Sequence, residues 1–343
     1  AAEMEPRFRL LEMVREYAYE QLIANQEADR VQRQHAAYFL QLAQTTEPEM
    51  RSARVAAYLE HLETEHNNLR AALTWALATG DSTTALRLCG TLQWLWGWHG
   101  HAQEGKRWLE KSFAISSGVP LAVQAKALSA AGHMEHILGN HTQAQIHVEQ
   151  SLALYQTAKD LWNVANMSLQ LGGIHRKQHH YEQAEFFYQQ SFNLFQAFED
   201  KWGIAAVHGV FGHLAMNQDD YGKARSHYEQ GLALLREIGD LAQITDALGG
   251  LAALTFEQGE YQRAVLYCEE LLVLAQELGD KEGVVKALYE LGRIAHQQGE
   301  FAQAARYLDQ SLALAQELDY PPYMAHTLAY QGNLAFAQAD VAR

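Results

Sequence analysis

Apolar residues recur along this chain at spacings of three and four, and the resulting stripes predict helices almost throughout. Glu12 to Ala24 has helical periodicity through Met13, Tyr17, Ala18 and Leu22. Residues 28–44 predict a second helix with Val31, Ala36, Phe39, Leu40 and Leu42 on its apolar side, broken by Thr45-Thr46-Glu47-Pro48. Leu59, Leu62, Leu69, Leu73 and Leu77 predict one further helix from about Arg54 to Ala78. Gly80-Asp81-Ser82 then supplies a helix stop and an N-cap, and a fourth helix runs from Thr83 to about Trp98. Arg7-Phe8-Arg9-Leu10-Leu11 reads as a short strand or the start of a helix.

Beyond Trp98 the pattern repeats every forty residues. Gly299-Glu300-Phe301-Ala302-Gln303-Ala304 has counterparts at Gly259-Glu260-Tyr261, Asp219-Asp220-Tyr221, His179-His180-Tyr181 and Gly139-Asn140-His141, with a sixth copy one residue out of step at Gly100-His101-Ala102. A fixed period of this kind predicts a solenoid of helix pairs. In the unit Asp160–Glu199 the first helix should reach about Gln178 and the second run from Tyr181 to about Phe198. Asp160, Asp200, Asp240 and Asp280 stand where an N-cap is needed, and Gly239 and Gly279 where a left-handed residue ends a helix. Gly132, Gly172, Gly212, Ala252, Gly292 and Gly332 recur in the middle of the first helices, and Ala144, Ala184, Ala224, Ala264 and Ala304 early in the second. Glycine inside a helix costs about 1 kcal/mol against alanine, so this register requires a packing reason. Close approach of the two helices is that reason, with Leu171, Phe211, Leu251 and Leu291 beside the contact and Tyr188, Tyr228 and Leu308 in the next layer.

A small residue followed twelve positions later by alanine, with an aromatic three before that alanine, resembles the tetratricopeptide pattern. The unit is forty residues instead of the usual 34, and the large residue of position four is only partly kept, as Leu128, Ser168, His208, Leu248 and Leu288. The resemblance implies an all-α, right-handed superhelix whose first helices line a concave side. The inward positions would be His133, His136, Asn166, Gly173, Arg176, His213, Met216, Asp246, Ala253, Phe256, Lys286, Tyr289, Arg293, His296, His326 and Asn333. Polar, basic and aromatic groups on one concavity suit a ligand or peptide surface, whereas a solvated groove wall is the plainer alternative. Lys286, Arg293 and Arg176 in an acidic chain would favour an anionic ligand or acidic peptide; scattered surface charge is the alternative for each singly.

A second resemblance covers essentially the whole chain. Phe8-Arg9-Leu10-Leu11-Glu12-Met13-Val14-Arg15-Glu16-Tyr17-Ala18, with Arg33-Gln34-His35-Ala36-Ala37-Tyr38-Phe39 after it, resembles the end of the winged-helix part of signal-transduction ATPases with numerous domains, the STAND class of bacterial regulators. Glu65-His66-Asn67-Asn68-Leu69-Arg70-Ala71-Ala72-Leu73 and Gly100-His101-Ala102-Gln103-Glu104-Gly105-Lys106-Arg107-Trp108-Leu109-Glu110 are similar to stretches that follow in that class. The implied organisation is a winged-helix-like end over residues 1–26, linking helices over 27–98 and a repeat array over 99–343, as the C-terminal portion of a longer protein. The resemblance implies a sensor arm that binds an inducer, a small molecule or a peptide or protein, and holds a nucleotide-binding module of the same protein inactive. The phosphate loop of such a module, ending Gly-Lys-Ser/Thr, does not occur in these residues, so ATPase activity is not expected of them. A constitutive protein-binding scaffold with no small ligand is the competing expectation.

The remaining chemistry narrows this reading. The formal charge is −15, from 41 acidic and 26 basic residues, and no Lys/Arg cluster stands out, so no direct nucleic-acid contact is expected. The pattern carries no signal peptide and no membrane-spanning run, and Cys89 and Cys268 read as small core residues suited to a reducing cytoplasm. No nucleophile elbow, paired acids or dinucleotide fingerprint appears, so neither an enzyme nor a cofactor is expected of these residues. His175 and His179, with His180 adjacent, and the pair His133 and His136 have helical spacing, but no Cys or carboxylate in zinc-type spacing supports them; polar turns are expected and no metal. Trp94, Trp96 and Trp98 either seal the junction with the first repeat or offer an aromatic partner site.

Overall fold

The computed structural model describes residues 12–47, 55–318 and 320–341, and among these it contains helices and turns and no strand. The opening segment Arg7–Leu11, Pro48 and Arg54 lie outside the described residues. The N-terminal helices are α1 (Glu12–Ala24), α2 (Ala28–Thr46), α3 (Val55–Thr64), α4 (His66–Thr79) and α5 (Ser82–Trp98). The single helix expected from Arg54 to Ala78 is therefore two. The chain turns at Glu65, with φ −94° and ψ 5°, while the leucine stripe carries on through the corner. Gly80 ends α4 in the left-handed region at φ 74°, and Asp81 caps α5 through the Thr84 N–H at 3.0 Å.

Six helix pairs or parts of pairs follow: α6 (Ala102–Ala114), α7 (Leu121–Ile137), α8 (His141–Thr157), α9 (Leu161–Lys177), α10 (Tyr181–Ala197), α11 (Lys201–Asn217), α12 (Tyr221–Ile238), α13 (Leu241–Glu257), α14 (Tyr261–Leu278), α15 (Lys281–Gln297), α16 (Phe301–Glu317) and α17 (Pro321–Val341). Each first helix packs on its own second helix and on the next unit, which makes an α-solenoid. The four expected aspartate caps are all made: Asp160, Asp200, Asp240 and Asp280 accept from the backbone N–H three residues on, at 2.9–3.1 Å. Asp220 does the same for α12.

The small-residue rank has the packing reason expected of it. A methyl group on Gly172 would run into the Tyr188 ring, one on Gly212 into Tyr228, one on Gly292 into Leu308 and one on Gly132 into Val148. Tyr188 and Tyr228 are buried at 0% and 1% exposure, filled against those bare backbones. Gly332, the last of the rank, has open space around it. A second small-residue rank was not anticipated: Ser151 and Ser311 are fully buried and donate to the Ala125 and Val285 carbonyls at 2.7 and 3.0 Å.

One apolar cluster joins the N-terminal helices to the first repeats, running from Ala36 through Leu59, Leu73, Leu92 and Trp96 to Met134. Trp96, 1% exposed, lies flat on Gly105 and seals this junction. Ala242 of α13 packs against the same cluster, so the superhelix brings its fourth full unit round to face the N-terminal helices. That approach narrows the concave side into a groove that stays open to solvent.

Candidate functional site

The groove is built from the first helix of each unit, because a forty-residue step returns the chain to the same face. Three adjoining cavities follow it. The first, about 410 Å³, is lined by Trp94, Lys126, His133, His136, Trp162, Asn166, Gly173 and Trp202. The second, about 550 Å³, shares Trp94, His133 and Trp202 and adds Val55 and Leu59 from across the axis together with Asp246, Glu282 and Lys286. The third, about 500 Å³, shares Asp246 and Lys286 and reaches Arg176, Lys177, His213, Met216, Ala253, Glu290 and Tyr323. Shared walls make these one continuous space.

Charge is segregated within it. Arg176 and Lys177, at the end of α9, form no ion pair within 4.0 Å among the described residues. Arg176 instead donates to Asn217 Oδ1 at 3.0 Å, and its Nε has no hydrogen-bond partner. Three histidines face this cationic end and are kept neutral. Burial drives His136 down to about 4, helped by His141, His133, Lys177 and Arg176. Burial, then Arg176 and Lys177, drives His213 to about 4, and burial alone does so for His133. His213 Nδ1 and the Tyr228 hydroxyl are hydrogen-bonded at 2.7 Å.

The opposite stretch is acidic. Crowding by the groove walls, only partly offset by Lys286, raises the Asp246 pKa, and the same causes raise that of Glu282. Burial pulls the Lys286 pKa down, but Asp246, Tyr323, Glu282 and Asp280 outweigh it and hold the ammonium charged. Lys286 therefore neutralises an acidic patch and is not part of a basic one.

The sequence-derived positions divide into two groups. His133, His136, Asn166, Gly173, Arg176, His213, Met216, Asp246, Ala253 and Lys286 line the connected cavities. Phe256, Tyr289, Arg293 and His296 come together elsewhere, against α17, where they meet His326 of that helix. The Arg293 guanidinium stacks 4.1 Å from the Phe256 ring and 5.7 Å from Tyr289 and Tyr330, and pairs with Glu290 at 2.9 Å and Glu257 at 3.4 Å. His296 and His326 contact Tyr330, Tyr289 and Tyr323. Arg293 is thus a packed cation with its counter-ions in place, not a free one. Asn333 is exposed on α17, away from the cavity walls.

Sequence reasoning missed several groove residues. Trp162 and Trp202 donate their indole N–H to Asp200 at 2.7 Å and Asp240 at 2.9 Å, the caps of the next unit. Their forty-residue spacing was a usable signal. Trp94, one of the three tryptophans the sequence offered as junction seal or partner site, is 43% exposed and stands edge-on to His133 at 5.7 Å, so it faces the groove while Trp96 serves the core. Lys177 was overlooked because it is the last residue of its helix. His175 and His179 do not share a helix face: His175 is buried against Phe187, and His179 sits past the helix end at φ 62° and meets the Tyr181 hydroxyl.

The comparisons agree with this architecture. The family model described as tetratricopeptide repeat matches residues 123–197, 163–237 and 243–317. Curated relatives from Mycobacterium tuberculosis and Mycobacterium bovis, provisionally named HTH-type transcriptional regulators, are 40% identical over 129 residues, which is 36% of this chain and 14% of theirs. The chain thus spans a small part of those relatives' length. A STAND protein with a tetratricopeptide repeat sensor from Pyrococcus horikoshii superposes with a TM-score of 0.61 at 16% identity, over 92% of this chain and 44% of that one. NprR in complex with its cognate peptide NprX gives 0.60 at 11% identity over 73% of each chain. A Rap protein complexed with Competence and Sporulation Factor gives 0.55 at 14%, over 90% and 99%. At these identities the three structures share the fold. Because the repeat model covers more than half of the 343 residues, the chain belongs to the tetratricopeptide-repeat family.

Proposed function

We propose that this chain is the sensor arm of a STAND-type regulator and that its inner groove takes an inducer, a small molecule or a peptide, carrying an anionic group. The observation that carries the reading is the cationic end of an otherwise acid-bearing groove: Arg176 and Lys177 have no carboxylate paired with them in a chain of net charge −15. Arg176 is half-buried and Lys177 exposed at this end, and an anion bound there would supply the counter-charge that no carboxylate among the described residues provides. Trp94, Trp162 and Trp202 supply apolar walls beside it. Likeness to regulators supports the assignment, as does a STAND sensor whose fold runs along nearly the whole chain.

In this reading residues 1–26 end a winged-helix-like segment and 27–98 link it to the array, while the nucleotide-binding module belongs to the longer protein. The inducer acts by binding the released arm better than the autoinhibited one, and its differential affinity bounds the shift it can cause. The test is a thermal melt of the chain in extract of its native cells divided by ultrafiltration. Binding to the folded array alone raises the midpoint by mass action. A rise with the low-mass filtrate supports an inducer; a rise with the macromolecular fraction alone supports a constitutive scaffold instead.

A further inference from the structure

Away from the groove, the corner between α3 and α4 meets the turn before α6, and Glu63, His66 and His101 converge there. One ligand atom from each lies within 4.8 Å of the others. His101 Nε2 is 3.1 Å from both Glu63 carboxylate oxygens, and His66 Nδ1 is 3.5 Å from Glu63 Oε2. We propose that these three residues form a site for a divalent transition metal, zinc by preference, that fastens the N-terminal helices to the first repeat.

Three features of the geometry support it. Zinc bonds of ~2.0–2.1 Å in a tetrahedron set neighbouring ligand atoms about 3.3–3.4 Å apart, and the two histidine–Glu63 separations, 3.1 and 3.5 Å, bracket that value, with the two histidines within 4.8 Å of each other. Two imidazoles with one carboxylate select a transition ion over magnesium or calcium, which prefer all-oxygen shells. The outer partner of a metal-bound histidine is also in place. His66 presents Nδ1 to Glu63 and turns Nε2 towards Glu104 Oε1 at 3.5 Å, and Glu104 is itself held by Arg70 and by the Trp108 indole N–H at 2.9 Å. A carboxylate behind the distal nitrogen is how zinc-bound histidines are oriented.

His66 is 6% exposed, and its two ring nitrogens stand 3.5 Å from the Glu63 and Glu104 carboxylates, beyond a well-formed hydrogen bond. His101 and Glu63, at 27% and 32% side-chain exposure, leave a path for the ion and room for water as a fourth ligand.

The experiment uses the untagged chain, stripped with a chelator and titrated with zinc chloride by calorimetry and thermal melt. One equivalent should bind and raise the midpoint. His101→Ala and Glu63→Gln should each weaken zinc at least tenfold while leaving helicity and the metal-free midpoint in place. Cobalt(II) should give the visible bands of a four-coordinate site in the wild type and lose them in His101→Ala. Glu63→Gln keeps a hydrogen-bonding partner for His101, so it carries the comparison if the alanine variant fails to fold. Absence of zinc binding to the wild type, or binding unchanged in both variants so that others of the 17 histidines hold the ion, overturns the proposal.

Discussion

Two adjacent glycines, Gly172 and Gly173, carry opposite burdens. A methyl on Gly172 collides with the Tyr188 ring, whereas one on Gly173 reaches only the Tyr188 hydroxyl oxygen at 4.0 Å. Gly172→Ala is therefore expected to destabilise by about 1–3 kcal/mol through overpacking. Gly173→Ala should stabilise by up to ~1 kcal/mol through helix propensity. Urea melts of the two variants check this, and equal effects would refute the packing account. The groove histidines give a second expectation. Burial first, then Arg176 and Lys177, lowers His213 to about 4 in the folded chain from its ordinary value of 6.5, so between those values the unfolded chain binds the proton and the folded one does not. Stability from this group is whole above about pH 6.5 and drains as pH falls towards 4. His133 and His136 act in the same direction. His213→Gln, which keeps a hydrogen-bonding partner for the Tyr228 hydroxyl, should flatten the fall of melting temperature over that window. At this scale the glycine rank was readable from recurrence alone. The fate of Arg293 was not, because one of its carboxylates, Glu257, lies on the neighbouring first helix, 36 residues away.

At the scale of the element, the forty-residue units and their caps follow from local residues, since an aspartate three positions before a free N–H acts within one turn. The Asp200 carboxylate has two roles: it caps α11 through Gly203 at 3.1 Å and accepts the Trp162 indole of the preceding unit at 2.7 Å. Asp280 caps its own helix without such a tryptophan. Asp200→Ala should cost about 2 kcal/mol and Asp280→Ala about 1 kcal/mol, the excess being the charged hydrogen bond to the indole. Equal costs in chemical denaturation would show that Trp162 gains nothing from the cap. The break at Glu65 was hidden for a different reason. Leu59, Leu62, Leu69 and Leu73 are all buried, so both sides of the corner face one core and the apolar stripe stays in phase across it. No Gly or Pro marks the turn.

For the whole molecule, repetition predicts a solenoid but not how far it winds, because the rotation between units is set by side-chain packing at each joint. That winding brings Ala242 onto the N-terminal cluster and sets Val55 and Leu59 opposite Asp246 and Lys286. It also decides which inward positions share a cavity and which instead pack against α17. Among the described residues no helix is long and apolar enough to cross a membrane. The central claim is that the groove, through its cationic end, is where an anionic inducer acts. Gly209 lines a smaller adjoining cavity of about 190 Å³ that shares His213 and Asp246 with this groove and has nothing within 4 Å of an added methyl, so Gly209→Trp projects a ring towards the shared walls, and Arg176→Glu reverses the decisive charge. The measurement is the melting midpoint of wild type and these two variants with the low-mass fraction of native-cell extract. The account predicts a rise in the wild type that both variants lose while remaining folded; a rise of equal size in all three, or none in the wild type, contradicts it.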